Sequence, residues 1–140
     1  MGLKWIKYYL DIANRTSELS YANKLKVGAI IVKDKRILSA GYNGTPAGWD
    51  NVCEDATGKT KSEVIHAEAN ALMKLTRSTD SSEGATLFCT HTPCIECAKL
   101  IYQAGIETVV YQNEYEASKG NGLHFLIKSG VKTICHYLEK

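Results

Sequence analysis

Apolar and polar positions alternate with two different periods along the chain, and these periods predict helices and strands. An amphipathic helix is expected over residues 3–19, where apolar side chains recur three or four positions apart. Those side chains are Trp5, Ile6, Tyr9, Leu10 and Ala13. Two short apolar runs follow at residues 27–32 and 36–40, separated by Asp34 and Lys35. They predict an antiparallel hairpin of two strands.

The second half of the chain alternates between strand-like and helix-like patterns. Buried strands are predicted at residues 85–90, 107–112 and 131–135, with a helix between each successive pair. Such an order is typical of crossover units, which join parallel strands. The fold class expected is therefore α/β, with one mixed sheet of about five strands, an N-terminal antiparallel hairpin and parallel C-terminal strands.

A long segment without apolar periodicity separates the hairpin from that second half. It opens with the glycines and proline between Gly41 and Gly48 and runs to about Lys61. Loops of this length in compact domains are usually functional or mobile, so the segment is either a plain connector or a wall of a ligand-binding site. Asn43 is the residue selected for a polar contact to a sugar, because its amide both donates and accepts hydrogen bonds.

Capping signals predict where the two central helices begin. Thr60 and Glu63 have the spacing of a capping box ahead of an apolar helical stripe. Thr92 can cap the later helix, with Pro93 at its first position. Both helices should therefore begin close to the residues that carry the candidate chemistry.

Two short motifs carry that chemistry, and they read His66-Ala67-Glu68 and Pro93-Cys94-Ile95-Glu96-Cys97. An H-x-E motif followed by P-C-x-x-C is the signature of zinc deaminases. A hydrolytic zinc centre needs three protein ligands and an open position for water, and His66, Cys94 and Cys97 supply the three. Glu68 can stand beside that water without binding the metal and can move protons. The sequence predicts a catalytic zinc centre.

A closed structural zinc site is the alternative interpretation of these motifs. A C-x-x-C pair alone is common in structural sites. Such a site needs a fourth protein ligand at a suitable spacing and has no use for Glu68. The combination of histidine, glutamate, proline and both cysteines therefore favours catalysis.

Composition limits the other possibilities. The chain has 140 residues, 44% hydrophobic and 23% charged, which predicts one domain over residues 1–140. A net charge of +2 lacks the basic excess of a nucleic-acid-binding protein, so no nucleic-acid partner is expected. A small phosphorylated ligand needs only a few donors and stays compatible with this charge. Without a signal-peptide core or a run of about 18 apolar residues, a cytoplasmic protein without a membrane partner is expected.

Three motifs together resemble the deoxycytidylate (dCMP) deaminase family over most of the chain, from about Val27 to Val131. They are Gly41-Tyr42-Asn43-Gly44-x-Pro46-x-Gly48, His66-Ala67-Glu68-x-Asn70-Ala71 and Pro93-Cys94-x-x-Cys97-Ala98-Lys99-Leu100-Ile101. The zinc motifs are shared with tRNA adenosine, guanine and polynucleotide cytidine deaminases. The glycine-tyrosine-asparagine-glycine loop and Asn70 are what point to the nucleotide enzymes.

The resemblance implies a three-layer α/β/α sandwich and hydrolytic deamination of dCMP to dUMP and ammonia, which supplies dUMP for dTTP synthesis. It implies one catalytic Zn²⁺ on His66, Cys94 and Cys97, with Glu68 as the proton shuttle. The backbone at Ala67 would contact the base edge, and Asn43 the deoxyribose. The alternative function is a tRNA or polynucleotide adenosine or cytidine deaminase, and a third is a binding module with a structural zinc.

The resemblance also implies a homohexamer that dCTP activates and dTTP inhibits, each bound with Mg²⁺. Some members hold a second, structural zinc through cysteines before the first strand and in the long loop. Residues 19–23 contain no cysteine here and the loop contains only Cys53, so one zinc ion per chain is expected. The sequence offers several candidates for contact with the phosphate or an effector and does not distinguish among them: Lys26, Tyr111, Tyr115 and Lys119.

Overall fold

The computed structural model describes residues 1–115 and 120–137. Within these residues the helices and strands follow the predicted order. Most of their ends differ from the predicted bounds by a few residues. The elements are α1 Leu3–Ser17, β1 Gly28–Lys33, β2 Arg36–Tyr42, α2 Ala67–Leu75, β3 Thr86–His91, α3 Ile95–Gln103, β4 Thr108–Asn113, α4 Leu123–Lys128 and β5 Lys132–Cys135. No helix in this part of the chain is long and apolar enough to cross a membrane.

The strands form one five-stranded mixed sheet in the order β2-β1-β3-β4-β5. β1 pairs antiparallel with β2 and with β3, whereas β3, β4 and β5 are parallel. The hairpin turn contains Asp34 and Lys35, whose φ angles of 52° and 61° are both left-handed. Turns of this kind match the right-handed twist of the flanking strands. The predicted α/β class, hairpin and parallel strands are confirmed.

Helices cover both faces of this sheet. On one face, α1 packs Tyr9 and Leu10 against Ile30 and Phe88 of the strands. On the other face, α2, α3 and α4 bury a second apolar cluster that includes Ala71, Ile101 and Leu126. The result is the three-layer α/β/α sandwich that the family resemblance implied, with two helices that carry the chemical motifs on the same side of the sheet.

The predicted helix starts are wrong at both central helices. Thr60 pairs with Glu54 in an isolated β-bridge, so it caps no helix, and α2 begins at Ala67 with His66 as its N-cap residue. Likewise, α3 begins at Ile95 with Cys94 as its N-cap residue, so Pro93 lies before the helix. Neither N-cap side chain makes a capping hydrogen bond to its own helix.

Candidate active site

The N-termini of α2 and α3 meet at the three predicted zinc ligands. The Nδ1 atom of His66 lies 3.5 Å from the Sγ of Cys94 and 3.4 Å from the Sγ of Cys97. The ligand atoms of all three residues fall within 4.8 Å of one another. His66 and Cys94 are the N-cap residues of their helices, and Cys97 is the third residue of α3. The structure thus brings together residues that are about thirty positions apart in sequence.

Close packing against β2 fixes the position of α2. A Cβ atom at Gly41 would lie 2.4 Å from the carbonyl oxygen of Ala67, so only glycine allows this approach. The hydroxyl of Ser39 donates to the carbonyl of Ala71 at 2.7 Å. The side-chain amide of Asn70 donates to the carbonyl of Tyr42 at 2.9 Å. These contacts orient the helix whose first turn carries Glu68.

The start of α3 is fixed by the segment that precedes α4. The N–H of Gly122 donates to the carbonyl of Pro93 at 2.9 Å, and the N–H of Ile95 donates to the carbonyl of Gly120 at 3.0 Å. A Cβ atom at Gly122 would lie 2.7 Å from the carbonyl oxygens of Pro93 and Cys94. The turn that carries Cys94 is therefore held from both sides by backbone contacts.

The three ligand atoms suit a zinc ion. Zinc bonds of about 2.3 Å to sulfur and about 2.1 Å to nitrogen at tetrahedral angles place those atoms about 3.6 Å apart. The separations from His66 to the two sulfurs are close to that value. A hydrogen bond from the Cys97 thiol and the neighbouring His66 lower the pKa of Cys94 to about 3, although burial opposes them. This shift favours the thiolate of Cys94, the form that binds metal.

Glu68 lies beside this cluster as the second residue of α2 and is only 4% exposed. Burial raises the pKa of its carboxyl group to about 7, with a smaller contribution from Cys94, while His66 lowers it. A carboxyl group with a pKa near neutrality can both accept and release a proton at the pH of a cell. Its place and its acidity fit the predicted role in proton transfer.

A cavity of about 730 Å³ opens onto these residues. His66, Ala67, Glu68 and Cys94 line it together with the segment between β2 and α2. The volume lies within the range of small-molecule sites. Of the two interpretations of the long segment, the structure supports a wall of the cavity rather than a plain connector.

Asn43 also lines this cavity, but its side-chain amide makes hydrogen bonds to the backbone as well. Its Oδ1 accepts a hydrogen bond from the N–H of Val27 at 2.9 Å, and its Nδ2 donates to the carbonyl of Leu25 at 2.8 Å. Each end of the amide keeps one further hydrogen-bonding position. The contact of Asn43 with a sugar stays a prediction, and its visible role is to fix the entry to β1.

Two aromatic residues also line the cavity. Tyr115 is one of the candidates for contact with a phosphate or an effector, and its ring meets that of His91 edge to face at 6.1 Å. Sequence reasoning missed two lysines that line the cavity. Lys24 and Lys61 are also lining residues, whereas Lys26 and Tyr111 are not among them. The lysines occupy segments without a periodic pattern, so no signal distinguished them from other surface charges. Lys119 lies outside the described residues.

Known proteins share this arrangement. Residues 3–113 match the family model described as the cytidine and deoxycytidylate deaminase zinc-binding region. The chain belongs to this family. It is a deaminase, and therefore a hydrolase, with a zinc-binding domain.

Relatives within this deaminase family are similar over most of their length. The deoxycytidylate deaminase of Mycobacterium phage D29 is 40% identical over 79% of this chain and 95% of its own length. The human deoxycytidylate deaminase is 36% identical over 99% of this chain and 82% of its own length. The family resemblance inferred from the three motifs is confirmed.

Solved structures of the family superpose on the fold. The dCMP deaminase of the cyanophage S-TIM5, solved in complex with dCMP and dUMP, has a TM-score of 0.93 and 42% identity, covering 97% of this chain and 99% of that one. A tRNA:A34 deaminase matches 95% of this chain with a TM-score of 0.59 and 19% identity. At that identity the likeness concerns the fold alone.

Proposed function

We propose that this enzyme hydrolyses dCMP to dUMP and ammonia. The observation that carries the proposal is a buried Glu68 beside three converging zinc ligands, all at a cavity of nucleotide size. The proposal gains support from relatives named deoxycytidylate deaminase and from a similar structure solved with dCMP and dUMP. One catalytic domain over residues 1–140 is part of the proposal.

Three residues hold the metal in this proposal, and a fourth handles protons. His66, Cys94 and Cys97 bind Zn²⁺, which when bound lowers the pKa of a water molecule and so supplies the nucleophile for hydrolysis. Glu68 takes a proton from the attacking water and delivers it to N3 of the cytosine ring. It then takes the proton of the hydroxyl group added at C4 and passes it to the departing amine, which leaves as ammonia. Burial keeps its carboxyl group near the pKa at which both transfers are feasible.

Residues that line the same cavity would contact the base and the sugar of the substrate. Ala67 is the first residue of α2, where backbone N–H groups have no acceptor within the helix. We assign it the contact with the base edge. Asn43 lines the cavity with one donor and one acceptor position left on its amide, and we assign it the contact with deoxyribose.

The proposal extends to properties that the family resemblance implied. They are supply of dUMP for dTTP synthesis in the cytoplasm, a homohexamer, activation by dCTP and inhibition by dTTP, with Mg²⁺ bound to these effectors. A polynucleotide deaminase is the competing function, and it differs by requiring the base to be presented from a longer strand.

A deamination assay tests the function directly. Purified protein is incubated with dCMP, deoxycytidine, dCTP and a single-stranded oligonucleotide, with and without dCTP or dTTP plus Mg²⁺, while loss of cytosine absorbance is followed. Turnover of dCMP is expected, and its response to the two triphosphates tests the regulation separately. Turnover of the oligonucleotide but not of dCMP would establish the competing function instead.

A further inference from the structure

Asn70 belongs to the motif of His66 and Glu68 but has no part in the chemistry assigned to them. Among the described residues, those that line the cavity do not include Asn70. Its backbone N–H donates to the carbonyl of His66 at 2.9 Å. Its side-chain amide donates to the carbonyl of Tyr42, the last residue of β2, also at 2.9 Å. Asn70 therefore connects the first turn of α2 to the backbone directly before Asn43.

Hydrogen bonds hold the peptide group before Asn43 at both of its ends. The oxygen of this group belongs to Tyr42 and accepts the hydrogen bond from the amide of Asn70. The nitrogen belongs to Asn43 and donates to the carbonyl of Val27 at 3.4 Å. The backbone that leads into Asn43 thus lies between α2 on one side and the entry to β1 on the other.

The peptide group after Asn43 is held in the same way. Its oxygen accepts a hydrogen bond from the hydroxyl of Ser20 at 2.7 Å. Its nitrogen, on Gly44, donates to the carbonyl of Ile65 at 3.1 Å, and the N–H of Ile65 donates back to the carbonyl of Gly44 at 2.8 Å. Ile65 directly precedes His66, so this bond also leads to the metal site.

Two connections therefore fix Asn43 relative to the residues of the proposed chemistry. One joins Gly44 to Ile65 through the backbone alone, and the other joins Tyr42 to α2 through the side chain of Asn70. They lie on opposite sides of Asn43. The connection through Asn70 can be removed by substitution without a change in the backbone.

We propose that Asn70 is a positioning residue, which holds Asn43 where its amide meets the 3′-hydroxyl of the nucleotide while the base lies at Glu68. This inference rests on the proposed function and specifies its sugar contact. The 3′-hydroxyl is the only hydroxyl group of the deoxyribose in a 5′-monophosphate. One donor and one acceptor position remain on the Asn43 amide, and a hydroxyl group can use either. Correct relative placement of sugar and base contacts favours the reactive geometry.

A substrate without the 3′-hydroxyl tests the inference. Values of kcat/KM are measured for dCMP and for 2′,3′-dideoxycytidine 5′-monophosphate with the wild type, Asn70→Ala and Asn70→Asp. The wild type should prefer dCMP. The ratio of the two values should fall about fivefold in both variants, as expected for one neutral hydrogen bond. Asn43→Ala, which removes the sugar contact itself, gives the lower limit of the ratio.

Lys74→Met is the matched control for the loss of a hydrogen bond between α2 and β2. The exposed Nζ of Lys74, one helical turn after Asn70, donates to the carbonyl of Ala40 at 2.6 Å. This bond also joins a side chain of α2 to the backbone of β2, but it is remote from Asn43 along the strand. Lys74→Met should leave the substrate ratio unchanged, and urea unfolding compares the stability of all variants.

Three outcomes would overturn the inference. They are a ratio near one in the wild type, a ratio in the Asn70 variants that changes no more than in Lys74→Met, and an equal loss with both substrates, which would mean a purely structural role. Calorimetric binding of dUMP and of 2′,3′-dideoxyuridine 5′-monophosphate needs no turnover. The wild type should bind dUMP more tightly, and the Asn70 variants should lose most of that difference. Failure of the wild type to deaminate dCMP would contradict the proposed function, while this binding comparison would still decide the role of Asn70.

Discussion

At the scale of single residues, Glu68 is buried and its carboxyl group has a pKa near neutrality. An ionised carboxylate is costly to bury, so burial raises the pKa of Glu68 to about 7 and favours the neutral carboxyl group. The same shift suits a group that must alternate between acid and base. In the proposed mechanism, the position of Glu68 in the first turn of α2 serves proton transfer.

Replacement of Glu68 by glutamine should separate chemistry from metal binding. The amide has nearly the same shape but cannot transfer the proton, so kcat for deamination should fall at least about 100-fold. Zinc content by atomic absorption and the circular dichroism spectrum should match those of the wild type. Glu96→Gln is the control, because Glu96 is an exposed acid between the two cysteines and should leave kcat unchanged. Activity of Glu68→Gln within tenfold of the wild type would contradict the assigned role.

His91 should make stability depend on pH. Burial lowers its pKa below the ordinary value of about 6.5, so below that pH the unfolded chain takes up a proton more readily than the folded one. The free energy of unfolding should then decrease as pH falls from about 7.5 to 5.5. The decrease, measured by urea unfolding, should be smaller in His91→Gln. Acid effects on the zinc ligands are common to both proteins, and equal decreases would rule out this contribution from His91.

At the scale of elements, β2 positions α2 through a glycine that lets the two backbones touch. The Cβ of Gly41→Ala would lie 2.4 Å from the carbonyl oxygen of Ala67, so the strand or the helix must move. We expect a loss of about 1–3 kcal/mol in the free energy of unfolding and weaker zinc binding, because His66 is the N-cap residue of that helix. Urea unfolding and zinc titration measure the two effects.

Gly44→Ala is the matched control for this substitution. A Cβ atom at Gly44 would meet only the ring of Tyr42, at 3.8 Å, which is ordinary contact. It should leave both stability and zinc affinity close to the wild-type values. Equal effects of the two substitutions would show that the packing of α2 on β2 does not position the metal centre.

The element order was predictable from sequence, but the starts of the two central helices were not. Periodicity located the strands because their buried faces are continuous. The capping signals at Thr60 and Thr92 misled because the true N-cap positions hold His66 and Cys94, whose side chains make no capping hydrogen bond and are the proposed zinc ligands. Glu68 was identifiable from the sequence, because its spacing from His66 belongs to a short motif. Lys24 and Lys61 were not, because their approach to the cavity depends on the tertiary path of irregular segments.

At the scale of the whole molecule, both helices that carry the proposed zinc ligands lie on one face of the sheet, while α1 covers the other. A zinc ion on His66, Cys94 and Cys97 would link α2 to α3 across positions far apart in sequence. The unfolded chain does not hold these ligands together, so the free energy of zinc binding contributes to folding.

Removal of zinc should therefore lower the thermal stability of the protein. Zinc at a hundred times its dissociation constant adds about 2.7 kcal/mol, which corresponds to a Tm shift on the order of 5–15 °C for a chain of this size. Scanning calorimetry with and without a chelator measures the shift. The double variant Cys94→Ser and Cys97→Ser should show no response to the chelator. A wild-type Tm that does not change on chelation would contradict the linkage.

The N-cap positions of His66 and Cys94 also have a consequence for amide hydrogen exchange. The first backbone hydrogen bond of each helix ends at the carbonyl of one of these residues, from Asn70 to His66 and from Ala98 to Cys94, both at 2.9 Å. Zinc bound to the two side chains would hold these residues in place, so the amide protons of Asn70 and Ala98 should exchange faster after zinc is removed. The amide protons of α1, on the far face of the sheet, provide an internal reference.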